Sequence, residues 1–384
     1  MKTLTEQEIL EGKILVVDDM PADLMLLEEI LATAGYVNVR GTSDGREAVD
    51  LYREFRPDLM LLDINMPYTS GYEIMEQIKE IEHTRSLPIL VLTAMTDHES
   101  RLRALGAGAR DFLTKPFDMI EARMRIRSLV EVRLLYKHLT DSYEESDRLL
   151  HNILPAHVVQ DLKVLGSHTP TRYEDVSVLF TDFEGFTAVA ADMPPQQLIQ
   201  ELQVSFTYFD TIIQRRNLQR LKTIGDAYMC AGGMPEDSAT HALDCVLAAL
   251  DMRRFMEGRL AEKSAAHHDY WNIRIGVHTG PLVAGVIGKE RFAYDVWGDT
   301  VNLASRLESN SEGGRINVSD ATRKRIEEFV EITPRGGIPV KHRGVVEMFF
   351  VDGLKPEYSM DETGARPNMA FLTRYQELMS SSGT

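Results

Sequence analysis

One stretch of the sequence, residues 118–154, restricts the fold more than any other because it contains neither glycine nor proline. Those two residues interrupt helices, so their absence over this length predicts one long helix ending at Pro155. Apolar and small side chains recur along it in steps of three and four, at Val132, Leu135, Leu139, Ser142, Ser146, Leu149 and Ile153. This spacing is typical of the seam of a two-stranded coiled coil, weakened at the two serines. The alternative is a surface helix packed on one domain.

The composition indicates a globular protein of two domains with a cytoplasmic location. Of the 384 residues, 43% are hydrophobic and 26% are charged. No apolar run approaches the roughly 18 residues that span a bilayer, and the opening segment MKTLTEQEILEGK is no signal peptide. Two cysteines are too few for a disulfide framework or a cysteine zinc site. The net charge of −17 argues against a nucleic-acid partner.

Short apolar runs alternate with helical patterns in the first third of the chain. Strands are predicted at residues 13–17, 37–41, 59–62, 89–92 and 112–114, giving a parallel, doubly wound sheet. Functional groups gather where such strands end, and these ends carry Asp18, Asp19, Asp63, Thr93 and Lys115. Clustered carboxylates repel one another unless a cation lies among them, and their oxygens suit Mg²⁺. The sequence therefore predicts a magnesium site where a carboxylate attacks a phosphoryl donor.

The segments VVDDMPADLMLLEEIL, LMLLDINMPYTSGYEIM, PILVLTAM and DFLTKPF resemble, in this order, the receiver domain of two-component response regulators. The resemblance implies a flavodoxin-like (βα)5 fold. It assigns Asp63 as the phospho-acceptor and metal ligand, with Asp18 and Asp19 as the other Mg²⁺ ligands. Thr93 would follow the phosphoryl group, and Lys115 would be its counter-ion.

The same resemblance gives Phe112 the position of the aromatic side chain that switches on phosphorylation. It implies a cognate histidine kinase or a small phosphodonor as partner. Two alternatives are a flavodoxin-like domain with scattered surface acids and a receiver that no longer accepts phosphate.

Two carboxylates in the second half of the chain follow or join predicted strands. The strand at residues 176–180 leads into Thr181 and Asp182, and a hairpin over residues 220–230 has Asp226 at its tip. If these strands pair side by side, the two aspartates meet and form the carboxylate pair of a two-metal phosphoryl-transfer site. Farther along, Asn302 and Arg306 are four residues apart and share one face of a predicted helix. An amide and a guanidinium so placed can hold a ribose and a phosphate.

The motifs FTDFEGFT, LKTIGDAYM and YDVWGDTVNLASRLES resemble, in this order, class III nucleotidyl cyclases. The resemblance covers about residues 150–352 and implies an α+β, ferredoxin-like βαββαβ core that works as a homodimer with active sites at its interface. Asp182 and Asp226 would bind two Mg²⁺ or Mn²⁺ ions, with the backbone around Phe183 close to them. Asn302 would orient the ribose, and Arg306 would stabilise charge on the α-phosphate as the 3′-hydroxyl attacks.

Two further positions in the resemblance bear on the choice of base. Lys222 and Asp295 would read it, and a lysine donor and an aspartate acceptor match N1 and the 6-amino group of adenine. Guanylate cyclases of this family generally carry Glu and Cys there. The family's glycine-flanked lysine near the end of the domain is absent, so Arg343, or else Lys341, would contact the polyphosphate. Arg291 is a further basic candidate.

The sequence thus predicts an α/β chain with a receiver over residues 1–125, a coiled-coil helix over 126–155, a cyclase domain over 156–354 and a polar tail over 355–384. The predicted function is an adenylate cyclase that converts ATP to 3′,5′-cyclic AMP and is controlled by phosphorylation through the helix. The alternatives are a guanylate cyclase and a catalytically silent dimeric signalling module.

Overall fold

The structure, a computed structural model, describes residues 4–81, 87–94, 98–265, 270–288, 292–340 and 343–380. The chain divides into two compact units, Met1–Asn152 and Ile153–Thr384. Within the described residues, no helix is both long enough and apolar enough to cross a membrane.

The first unit contains all five predicted strands, each followed by a helix. Its elements are α1 Glu6–Leu10, β1 Ile14–Val17, α2 Pro21–Thr33, β2 Val39–Thr42, α3 Ala48–Phe55, β3 Leu59–Asp63, α4 Gly71–Ile81, β4 Ile89–Thr93, α5 His98–Ala107, β5 Asp111–Thr114 and α6 Met119–His151. The strands form one parallel sheet in the order β2-β1-β3-β4-β5.

Alternation along the strands gives this sheet a core on each face. Ile14 and Val16 of β1 belong to one apolar cluster, whereas Leu15 and Val17 belong to another. Successive strand side chains point to opposite faces, so a continuous apolar run is buried on both sides. The polar residues that follow each run therefore lie together along the carboxyl edge of the sheet.

Helix α6 packs on the first unit over much of its amino-terminal half, so the predicted domain boundary at residue 126 falls inside this helix and stays a prediction. Its start is capped by Asp118, whose side chain accepts from the backbone amides of Ile120 and Glu121. Four fully or nearly buried side chains, spaced four residues apart, join the core of the unit: Ala122, Ile126, Val130 and Leu134.

The predicted coiled-coil seam of α6 lies on a different face of the helix. Val132, Leu135 and Leu139 are 39%, 42% and 60% exposed, and Leu149 is 54% exposed. An exposed apolar row of this kind is available to a second helix, but pairing with another chain stays a prediction.

The second unit has an antiparallel centre. Its elements are α7 Ala156–Leu165, β6 Thr171–Glu184, α8 Phe186–Ala191, α9 Pro195–Arg215, β7 Gln219–Ile224, β8 Ala227–Gly232, α10 His241–Ala265, β9 Asn272–Ile287, β10 Ala293–Trp297, α11 Asp299–Ser309, β11 Ile316–Ser319, α12 Asp320–Ile326, β12 Val330–Val340, β13 Gly344–Leu354 and α13 Met369–Ser380.

The strand order of this unit confirms the predicted ferredoxin-like core. The sheet runs β12-β13-β11-β9-β6-β8-β7, and β10 pairs with β9. The segment β6-α9-β7-β8-α10-β9 has βαββαβ connectivity with the spatial order β9-β6-β8-β7. Helix α10 is buried along most of its length because it packs against this sheet, with Cys245, Val246 and Met252 in the shared core.

The segment predicted as a polar tail belongs to the second compact unit and contains helix α13. Phe371 of α13 is 1% exposed, and its ring lies 5.3 Å from that of Phe329. The Tyr375 hydroxyl donates to Asp244 Oδ1 at 2.6 Å, and Thr240 Oγ1 donates to Asp244 Oδ2 at 2.7 Å. The apolar spacing of α13 is too short to reveal from sequence which surface it covers.

We expect Phe371→Ala to destabilise the second unit by about 3–5 kcal/mol, since it empties a buried aromatic site. Leu372→Ala is the matched control, because Leu372 is 43% exposed, and its cost is expected to stay below about 1 kcal/mol. Urea unfolding followed by tryptophan fluorescence measures this unit alone, since both tryptophans, Trp271 and Trp297, lie in it. Equal effects of the two substitutions would contradict the docking of α13.

A continuous chain of buried polar side chains crosses the second unit. Its neighbours lie 2.6–3.2 Å apart, in the order His241, Ser177, Thr279, Thr322, Ser319 and His278. It joins α10, β6, β9, β11 and α12, and its hydroxyl groups satisfy one another inside the core. At one end, burial and then the nearby Arg343 charge lower the pKa of His278 from 6.5 to about 4.

This pKa makes the stability of the second unit depend on pH. A histidine whose folded pKa lies below its unfolded value stabilises fully above about pH 6.5 and loses that contribution as the pH falls toward 4. We expect wild type to lose about 2–3 kcal/mol relative to His278→Gln between about pH 7 and about pH 4.5. Urea unfolding at each pH measures the difference, and parallel pH profiles for the two proteins would contradict it.

Candidate functional site

The carboxyl edge of the first unit brings the three predicted metal ligands together. One carboxylate oxygen from each of Asp18, Asp19 and Asp63 lies within 4.8 Å of the other two. Asp18 is fully buried and Asp63 is 6% exposed, so water screens their charges poorly. Burial is the main cause that raises the pKa of Asp18, and the neighbouring Asp63 charge adds to it. Clustered hard oxygen ligands under such repulsion fit Mg²⁺.

Lys115 provides the positive charge inside this cluster. Its Nζ lies 2.6 Å from Asp63 Oδ2, 2.8 Å from Asp18 Oδ2 and 2.9 Å from Asp23 Oδ2. Burial by itself would lower the pKa of Lys115, but these hydrogen bonds outweigh it and raise the pKa. The ammonium group is therefore charged and shared among three carboxylates. Asp23, in the first turn of α2, was not identified from the sequence.

The two predicted switch residues lie on the strands next to this cluster. Thr93 ends β4 and is 4% exposed. Phe112 lies on β5 opposite Val91, two residues before the end of β4, and its ring lies 5.8 Å from the Arg125 guanidinium. Both residues thus lie on neighbouring strands, and their roles in a response to phosphorylation stay predictions.

Strand pairing in the second unit brings Asp182 and Asp226 together. Thr181 of β6 lies opposite Tyr228 of β8, so Asp182 comes next to the β7–β8 turn that carries Asp226. Burial, followed by the Asp182 charge, raises the pKa of Asp226. The backbone amide of Phe183 hydrogen-bonds the Asp226 carboxylate, while the Phe183 side chain is buried in the core. Two partly buried carboxylates that repel each other are a donor set suited to divalent cations.

Arg274 and Glu308 surround this pair and were not identified from the sequence. Arg274 lies opposite Asp182 in the β6–β9 register and donates to its carboxylate. Its Nε lies 3.3 Å from Oε1 of Glu308, which is 6% exposed. Burial, followed by the Asp182 charge, raises the pKa of Glu308 to about 7. A cross-strand position and a helix position cannot be recognised as neighbours before the fold is known.

The approach of α11 to β9 depends on Gly276. A side chain at Gly276 would collide with backbone atoms of Ala304 and Glu308, so only glycine lets this helix lie directly on the strand. The helix therefore buries Glu308 beside Arg274 and leaves its opposite face outward. Asn302 and Arg306 are both exposed on that outer face, one turn apart.

The two residues predicted to read the base form an ion pair. Lys222 Nζ of β7 lies 2.6 Å from Asp295 Oδ2 of β10, and both side chains are partly exposed. The two strands are far apart in sequence and are brought together by the fold. Donor and acceptor thus contact each other and stay partly accessible to solvent.

The remaining basic candidates are only partly described. Arg343 pairs with Asp299 at the start of α11. Lys341 and Arg291 lie outside the described residues. The fold thus brings together two of the predicted pairs, Asp182 with Asp226 and Lys222 with Asp295. Arg343 lies at the amino end of α11, the helix that carries Asn302 and Arg306.

Two known protein families match this chain, one in each unit. Residues 14–127 match the response regulator receiver domain. Residues 168–353 match the adenylate and guanylate cyclase catalytic domain.

Individual relatives include both adenylate and guanylyl cyclases. An adenylate cyclase of Mycobacterium tuberculosis is 36% identical over 230 residues, which are 59% of this chain and 51% of that protein. Guanylyl cyclase C of Sus scrofa is 36% identical over 264 residues, 67% of this chain and 24% of that protein. The crystal structure of the adenylyl cyclase CyaB from P. aeruginosa is 28% identical and covers 50% of this chain and 100% of its own, with a TM-score of 0.47. The chain spans about half, or less, of the curated relatives' length.

Proposed function

We propose that this chain, which matches the class III cyclase catalytic domain in one unit and the response regulator receiver domain in the other, is a receiver-controlled adenylate cyclase. The proposed reaction converts ATP into 3′,5′-cyclic AMP and pyrophosphate. The 3′-hydroxyl oxygen attacks the α-phosphorus and loses its proton, while the bond from that phosphorus to the pyrophosphate oxygen breaks.

The observation that supports ATP over GTP is the contact between Lys222 and Asp295. Their 2.6 Å ion pair presents one donor and one acceptor side by side, which complements N1 and the 6-amino group of adenine. Guanine presents the opposite pattern at these positions, a donor at N1 and an acceptor at O6. Relatives named as an adenylate cyclase and as a guanylyl cyclase are equally identical to this chain, so the proposed choice of base rests on this contact.

The carboxylates Asp182 and Asp226 are the proposed ligands of two Mg²⁺ or Mn²⁺ ions. When bound, such ions lower the pKa of the attacking hydroxyl and neutralise charge on the phosphates. Arg274 already neutralises Asp182 in this structure and holds that carboxylate at the edge of the site.

The outer face of α11 supplies the proposed catalytic groups. Asn302 would orient the ribose and Arg306 would stabilise charge on the α-phosphate, with Arg343 on the polyphosphate. By the family resemblance, these residues and the Lys222–Asp295 pair face the aspartates of a second protomer. The enzyme is thus proposed to be a homodimer with two sites at its interface.

The receiver is proposed to control this dimer through α6. A histidine kinase or small phosphodonor would phosphorylate Asp63, and Thr93 and Phe112 would respond. Because Ile126, Val130 and Leu134 anchor α6 to the receiver, a change in receiver packing is transmitted along the helix. The substrate and the phosphodonor place the proposed reaction in the cytoplasm.

Turnover of ATP and GTP by the purified full chain with Mn²⁺ tests the proposal. We expect ATP to be preferred in kcat/KM by at least about tenfold, because a mismatched pair of buried hydrogen-bonding groups costs at least about 1.4 kcal/mol. In the double variant Lys222→Glu, Asp295→Cys the preference is expected to move toward GTP.

Asp226→Asn is the control for chemistry at this site, and its turnover is expected to fall by at least about a hundredfold. A preference of wild type for GTP would overturn the assignment of the base. Unchanged turnover in Asp226→Asn would overturn the assignment of the active site, and absence of turnover of both nucleotides by wild type would favour a silent signalling module.

A further inference from the structure

We propose that Asp23 limits phosphorylation of the receiver by competing with the phosphoryl group for Lys115. The inference rests on the proposed function, because Asp63 is taken as the phospho-acceptor. It gives a role to a carboxylate outside the Asp18, Asp19 and Asp63 cluster.

The geometry of Lys115 carries the inference. A lysine ammonium group has three N–H donors, and three carboxylates lie within 2.6–2.9 Å of this one, from Asp18, Asp23 and Asp63. Asp23 is held in place by α2, where its backbone amide donates to the Met20 carbonyl at 3.0 Å. The donors of Lys115 are therefore fully used before any phosphoryl group arrives.

Phosphorylation changes what Lys115 must contact. An Asp63 oxygen attacks the phosphorus of an acyl phosphate or phosphohistidine, and the bond from phosphorus to the donor breaks with its electron pair leaving on the donor. Asp63 then carries a phosphoryl group whose oxygens need cationic partners. The Asp63 contact of Lys115 can pass to a phosphoryl oxygen, but Asp18 and Asp23 still occupy its other two donors. Asp18 and Asp63 belong to the carboxylate cluster proposed to bind Mg²⁺. Asp23 is therefore the competitor that a substitution can remove without removing a proposed metal ligand.

The charge of Asp23 acts in the same direction as its hydrogen bond. The phosphoryl group adds negative charge to a site that already holds four carboxylates against one lysine. Asp23 is the most accessible partner of Lys115, with 32% of its side chain exposed compared with 0% for Asp18 and 8% for Asp63. Its carboxylate disfavours the phosphorylated state by like-charge repulsion and by retaining Lys115.

Binding of beryllofluoride, a phosphoryl mimic, to the full chain at saturating Mg²⁺ measures this competition. Fluorine NMR of the bound mimic gives the affinity for wild type, Asp23→Asn and Asp23→Glu. We expect Asp23→Asn to bind on the order of three- to tenfold more tightly than wild type. Asp23→Glu keeps the charge and is expected to remain closer to wild type than to Asp23→Asn. Asp50→Asn removes an exposed charge on α3 and is expected to leave the affinity unchanged.

Two outcomes separate this inference from the proposed function. If wild type binds beryllofluoride and Asp23→Asn binds it equally or more weakly, the competition by Asp23 is overturned. If wild type fails to bind the mimic and acetyl phosphate leaves Asp63 unmodified by mass spectrometry, the proposed phospho-acceptor itself is wrong.

Discussion

Repulsion between carboxylates gathered at the ends of strands is the constraint on which both units depend. Carboxylates this close destabilise the fold unless a cation stands among them. In the first unit, Lys115 contacts Asp18, Asp23 and Asp63. In the second, Arg274 contacts Asp182 and Glu308. Each site thus contains a positively charged side chain, Lys115 or Arg274, that would share the neighbouring carboxylates with any metal ion that binds.

The two sheets bring their carboxylates together in different ways. The parallel sheet of the first unit collects residues that follow buried strands, because all five strands end at one edge. The antiparallel sheet of the second unit collects residues through cross-strand register, with Asp182 next to the β7–β8 turn and opposite Arg274. Helix α11 completes the second site only because Gly276 permits its close approach to β9.

Sequence reasoning reached the strands and the motif residues, because alternation and motif order are local properties. All five strands of the first unit and the ferredoxin-like core of the second were predicted. Asp23, Arg274 and Glu308 were missed because their importance comes from tertiary neighbours. The docking of α13 could not be predicted, because the apolar spacing of a 12-residue helix does not show which surface it covers. The predicted boundary at residue 126 falls inside α6, because the coiled-coil seam and the receiver-facing side chains occupy the same helix.

Helix α6 connects the proposed regulatory unit to the proposed catalytic unit along the chain. Its buried face, through Val130 and Leu134, belongs to the receiver core, while its exposed seam continues past Leu139. The proposed control depends on this helix, because its buried side chains belong to the receiver core. We propose that the phosphorylation state of one side chain, Asp63, controls cyclic nucleotide formation.

The most direct test of that claim compares cyclic AMP formation by wild type and Asp63→Asn with and without acetyl phosphate. The account predicts that the phosphodonor changes the rate of wild type and leaves the rate of Asp63→Asn unaltered. An equal response of both proteins, or no response in a wild type shown by mass spectrometry to be phosphorylated, would contradict it.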